Sequence, residues 1–175
     1  IEARYTYDVS VNYDDGHQSK LTLTSYDEDS NITEPYVCKG RLPENDYEMT
    51  VDREYADAND ISIGDELTVS LEGCDIDMEV VGTVESVEHM LKLANSLSDI
   101  PDHEAYGIGY FYTDTIKAEF GAQPDYNQVI VAADKDTDVY KLSDEIKDKT
   151  EDYNYINAAN RQMNTGYASF SANVD

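Results

Sequence analysis

Tryptophan is absent from this chain of 175 residues, cysteine occurs twice, proline four times, and 12 basic side chains face 38 acidic ones. Each shortage closes off a class of protein. Two cysteines are too few for a disulfide framework and the wrong number for a structural zinc site. A formal net charge of -26 repels nucleic acid and anionic lipid headgroups, which bind clustered lysine and arginine. No apolar run approaches the roughly 20 residues that span a bilayer as a helix. There is no initiator methionine, secretion signal or lipidation motif, so the chain reads as a piece excised from a longer protein. Catalytic signatures are missing too: no Gly-x-Ser-x-Gly elbow, no phosphate-cradling glycine loop and no His-Glu-x-x-His. His17, His89 and His103 stand alone, with no ligand or base three or four residues on. With so many carboxylates, any two-acid pair is an arbitrary choice.

What is present is a folded domain. Apolar residues make up 40% of the chain, and the aromatics are dominated by 15 tyrosines. Tyrosine suits half-buried strands, where one ring face is dry and the hydroxyl reaches water. The acids are spread along the chain rather than blocked at one end. That pattern describes a solvated surface, and it also attracts cations or basic partners.

Tyr5, Tyr7, Val9, Val11 and Tyr13 alternate with polar residues, which predicts a half-buried strand. Asp15-Gly16 supplies a turn, and Leu21, Leu23 and Ser25 resume the alternation, so a hairpin follows. A polar loop is expected at 27–31. Residues 40–84 read as short strands and tight turns, with strands at 48–51, 67–71 and 76–84 and a helical turn at 55–59. Gly82, inside the last strand, marks a bulge or a close approach of backbone. From Ser86 the period becomes helical, through Val87, Met90, Leu91, Ala94 and Leu97. The last third alternates: a strand at 106–112, a short helix at 114–120 ended by Gly121, and a continuous apolar strand at 128–133 central to a sheet. A helix capped by Asp136 or Thr137 with Val139, Leu142 and Ile146 inward comes next, and then a strand at 153–158. A final helix is expected from about Arg161, with Met163, Tyr167, Phe170 and Val174 on one seam. It is either an ordinary docking helix or a stalk leading to a membrane span.

Asp134, Asp136, Asp138 and Glu145 match part of a calcium-loop spacing, but Val139 stands where that loop needs glycine. Acids at a helix N-terminus account for them better. Cys38 and Cys74 form one bridge or remain two free thiols.

The run GRLPENDYEMTVDREYADANDISIGDELTVS, followed shortly by MEVVGTVES, resembles the extracytoplasmic core domain of MacB-like and FtsX-like ABC transporter permeases. The residues carrying the resemblance are Gly40, Arg41, Pro43, Glu48, Gly64, Asp65, Val80, Val81, Gly82 and Val84. In that family they are structural, so the resemblance implies neither an active site nor a cofactor, and a non-enzymatic role. It implies an α+β fold: an α/β porter-like lobe (1–14 and 105–160), an inserted small β-rich lobe (15–104) and a C-terminal stalk helix (161–175). It places the domain on the extracytoplasmic side of a cell membrane. Its partners would be the membrane-embedded remainder of the permease, a cytosolic ATPase subunit and an extracytoplasmic substrate such as a peptide or lipoprotein, with no nucleic acid. A secreted or wall-anchored acidic binding module is the alternative.

Overall fold

Alternating burial along the first hairpin sets the architecture. In chain order the described elements are β1 (Glu2–Arg4), β2 (Thr6–Asn12), β3 (Gln18–Tyr26), β4 (Tyr36–Gly40), β5 (Glu48–Asp52), α1 (Arg53–Ala58), β6 (Glu66–Leu71), β7 (Cys74–Glu85), β8 (Tyr106–Tyr112), α2 (Thr115–Phe120), β9 (Gln128–Ile130) and α3 (Val139–Lys149). The computed structural model describes residues 1–13, 16–30, 32–71, 73–86, 88, 101–121 and 125–150. The chain divides into two units, Ile1–Ile130 and Val131–Asp175.

β2 and β3 pair antiparallel with Val9 opposite Leu21, as the alternation predicts. β3 then runs parallel to β8, β8 antiparallel to β5, and β5 parallel to the second half of β7. The first half of β7 pairs with β6, and β6 returns to β2. The order β7-β5-β8-β3-β2-β6 therefore closes on itself. Closure gives every strand in the circuit a paired neighbour on each side and wraps one face into an interior. β4 lies outside the circuit, antiparallel to the end of β7.

Val9, Val11, Leu21, Leu23, Met49, Val51, Val69, Met78, Val80 and Phe111 fill that interior, all nearly inaccessible. Each such side chain contributes about 1.5–3 kcal/mol by leaving water. A second cluster, Val84, Ile108 and Tyr110, lies beneath Tyr26, Val37 and Leu42. One strand serves both clusters because its side chains alternate: Phe111 belongs to the first, Ile108 and Tyr110 to the second. The Tyr110 hydroxyl donates to Ser86 Oγ at 2.8 Å. Burial pushes its pKa up to about 12.

The result is a sheet-rich α+β fold, and its layout differs from the expectation in particulars. β2, β3 and β8, assigned to different lobes from sequence, lie side by side in one sheet. The apolar run 128–133 does not form a central strand. β9 has three residues and pairs with β1, and Val129 and Val131 are 60% and 36% exposed. An unbroken apolar run signals a strand buried on both faces only where a sheet surrounds it; here the neighbour is a three-residue ribbon. In the second unit the cap of α3 is Asp138 rather than Asp136 or Thr137, its carboxylate accepting from the amides of Tyr140 and Lys141. That role accounts for Asp138. Val139, Leu142 and Ile146 are half-buried. Cys38 is half-buried on β4 and Cys74 is exposed at the start of β7. β4 pairs with the far end of β7, so the two sulfurs sit on different parts of the sheet. The helix expected after Ser86, the strand at 153–158 and the stalk helix lie outside the described residues.

Candidate functional site

The residues that carry the sequence resemblance converge where β4, β7 and β5 meet. Gly40 and Gly82 are register partners. A Cβ on Gly40 would stand 2.3 Å from the Val81 carbonyl oxygen, and one on Gly82 would stand 2.3 Å from that of Arg41. Gly40 also has φ 71°, a left-handed conformation that costs other residues energy. Past this crossing the Arg41 amide donates to the Val81 carbonyl at 3.2 Å. Its guanidinium reaches both carboxylate oxygens of Glu48, at 2.6 and 2.5 Å. Glu48 also accepts from the amides of Glu44 and Asn45 and from the Asn45 side chain, so the loop through buried Pro43 is wound around one carboxylate. On the other flank the Gly64 amide donates to the Val80 carbonyl, and the Val80 amide to the Asp65 carbonyl, both at 2.8 Å. Asp65 Oδ2 accepts from the Ser62 amide. Chemically this is a brace. Its carboxylates hold backbone and guanidinium rather than facing an open site.

The brace carries a pH dependence. The Arg41 hydrogen bonds, helped by the Glu44 and Asn45 amides and opposed by burial, lower the Glu48 pKa to about 2. A pKa depressed in the folded state contributes stability above the unfolded value and loses it as pH falls toward the folded one. We expect the brace contribution to be complete above pH 4.5 and to fade between there and about 2. Arg41 is 42% exposed and solvent screens its charge, so the loss amounts to about 2 kcal/mol at most. Chemical denaturation of wild type and Glu48→Gln at pH 6 and pH 3 measures it. An equal pH response in both proteins would rule the assignment out.

A second convergence was not visible in the sequence. Asp52, Glu54 and His103 bring potential ligand atoms within 4.8 Å of one another. His103 Nε2 lies 4.0 Å from Glu54 Oε2, and its Nδ1 is buried without a hydrogen bond. Asp52 is inaccessible and both its oxygens hold backbone: Oδ1 accepts from the Tyr55 amide at 2.9 Å, Oδ2 from the Ile108 amide at 2.8 Å. Asp52 is thus a staple between α1 and β8. His103 stands about fifty residues from these acids in sequence, beyond any local spacing rule. His17 stacks on Tyr13, their ring centroids 4.7 Å apart. His89 lies outside the described residues.

Tyrosines and carboxylates gather at the opposite end of the barrel. Tyr26 and Tyr112 are register partners at the ends of β3 and β8. Tyr47 is exposed before β5, its hydroxyl 3.4 Å from Glu119, and Phe120 is 41% exposed. Partial burial and then the nearby Glu34, Asp27 and Glu28 raise the Tyr26 pKa. Burial followed by Asp114, Glu28 and Asp27 does the same for Tyr112. Such a surface accepts hydrogen bonds and favours cationic groups over aromatic faces.

No family model and no curated protein matches the chain. Among solved structures it is similar to the extracellular domain of the noncanonic ABC-type transporter YknZ from Gram-positive bacteria. The TM-score is 0.52 at 15% sequence identity, covering 85% of this chain and 74% of that one. The chain has the fold of a transporter extracellular domain. Among the described residues no helix is long and apolar enough to cross a membrane.

Proposed function

We propose that this chain is the extracytoplasmic domain of an ABC transporter permease of the FtsX-like, MacB-like kind. It acts without catalysis, coupling membrane-helix motion driven by a cytosolic ATPase subunit to binding or release of a substrate outside the membrane. The single observation that carries this reading is the shared fold with a transporter extracellular domain over 85% of the chain. The brace at Gly40, Arg41, Pro43, Glu48, Gly64, Asp65 and Gly82 supports it, because these residues stiffen a junction rather than serve chemistry. Within this reading the closed barrel is the β-rich lobe. The tyrosine- and acid-lined barrel end favours a basic substrate or partner.

Exposed Cys74 provides the test. In intact cells carrying the parent protein, a membrane-impermeant maleimide is expected to label Cys74, and Cys74→Ser is expected to abolish that signal. The label is expected to travel with the membrane fraction. Labelling that requires lysis would overturn the extracytoplasmic placement. Labelled protein found in the medium or wall fraction would replace the transporter with a secreted acidic binding module.

A further inference from the structure

Arg4 is a buried cation, 3% exposed, in a chain with few basic residues to spare. Its guanidinium grips Glu88 with both terminal nitrogens, Nη1 at 3.0 Å from Oε2 and Nη2 on Oε1. Nη1 also donates to Thr33 Oγ1 at 3.0 Å, and Nε to Gln128 Oε1. One side chain on β1 therefore ties together β9, the loop after β3 and the turn after β7.

Beside Arg4, Glu2 Oε2 accepts from the Ile32 amide at 3.2 Å, the Thr6 hydroxyl donates to Gln128 Oε1 at 3.0 Å, and Tyr5 packs on Tyr126. The ribbon of β1 and β9 has three register pairs, Glu2 with Ile130, Ala3 with Val129 and Arg4 with Gln128. Asn127 extends it by one step, its side chain accepting from the Thr6 amide and donating to the Thr6 carbonyl. Val129 and Ala3 face solvent. A two-stranded ribbon this short has little stability of its own in water. Yet every covalent route into the barrel runs through it: Tyr5 alone separates β1 from β2, and β9 ends where the second unit begins.

We infer that Arg4 is a clasp: its forked pair with Glu88 holds the β1–β9 ribbon against the flank of the barrel, and opening that pair frees the ribbon while the barrel stays folded. The two partners are unequal in a way that suits opening. Glu88 is 27% exposed and can rehydrate when it swings away, whereas Arg4 is enclosed and keeps Gln128, its partner within the ribbon. A bidentate charged pair is also directional, so the ribbon returns to one register when it re-forms. A displacement arriving along the chain from either side meets the clasp before it meets the barrel. The device does not depend on the transporter reading, and its test runs on this chain alone.

Amide hydrogen exchange read by mass spectrometry on the 175-residue protein tests it. In Glu88→Gln, which keeps shape and removes charge, exchange in residues 2–4 and 128–130 is expected to rise about tenfold. Exchange in residues 49–51 and 78–80 is expected to stay within about twofold of wild type. Arg4→Met is expected to give the same pattern more strongly, and Arg4→Lys an intermediate one, since lysine lacks the fork. Unchanged ribbon exchange in Glu88→Gln would overturn the inference. A rise shared equally by ribbon and barrel would overturn it as well, by making the pair part of the core. Should Arg4→Met fail to fold, Glu88→Gln decides alone.

Discussion

Gly82→Ala is expected to lower the thermal midpoint of this protein by about 10 °C, the effect of losing about 3 kcal/mol in a domain of this size. The new methyl carbon would need a place 2.3 Å from the Arg41 carbonyl oxygen and 2.8 Å from that of Lys39. Both obstacles are backbone, locked by strand pairing on one side and by the Arg41–Glu48 pair on the other. A side chain would rotate away; a paired carbonyl cannot. β4 must therefore lift off β7, and the loop wound around Glu48 goes with it. Gly64→Ala is the matched control. Gly64 has φ 96° but open space around it, so alanine there meets backbone strain alone, about 1 kcal/mol. Thermal unfolding followed by circular dichroism compares the two. Equal shifts would mean that the crossing gives way easily and that the brace is not rigid.

Asp52→Ala is expected to cost about 3 kcal/mol, the sum of a lost helix cap and a stranded buried amide. The cap serves the Tyr55 amide, and the amide left without its acceptor belongs to Ile108 in mid-strand. Asp52→Asn discriminates further. Asparagine keeps one acceptor oxygen but turns an NH2 group toward the other backbone donor, so it is expected to recover less than half of the loss. Urea unfolding gives the free energies, and hydrogen exchange at Ile108 shows where the damage lies. Wild-type stability in Asp52→Asn would mean that one of the two bonds contributes nothing. The buried hydroxyl group beside this staple, where Tyr55 meets Tyr13 at 2.6 Å and Ser19, belongs to the same end of the barrel. Burial keeps the Tyr55 phenol protonated well beyond its ordinary range.

Local periodicity carried most of the barrel strands. Val9 and Val11 alternate with Asp8 and Ser10 because one face of β2 enters the core, and that alternation needs no knowledge of the partner. Gly82 read as a bulge or a close approach and is near both: Thr50 pairs past Val81, and the Arg41 carbonyl sits against Gly82. Closure was not legible, because it rests on β6 pairing with β2 and β7 at once, and neither pairing leaves a mark on residues 66–71 beyond ordinary alternation. The run 128–133 misled for a related reason: composition records that a segment is apolar, not how much sheet surrounds it. The seven residues of the brace were found through resemblance, and their reason emerged only in three dimensions, as backbone meeting backbone at Gly40 and Gly82. The Arg4–Glu88 pair, the Asp52 bond to the Ile108 amide and the approach of His103 to Glu54 went unseen because their partners are distant in sequence.

The position of β8 orders events during synthesis. Its seven residues fill the slot between β3 and β5, although both neighbours are made long before it. Until Tyr112 has left the ribosome, the nascent hairpin and β5 each present an unpaired edge, the kind of surface that recruits stray strands. The last strand of the circuit to be made is the one that joins β3 to β5, so the barrel cannot close before it is present.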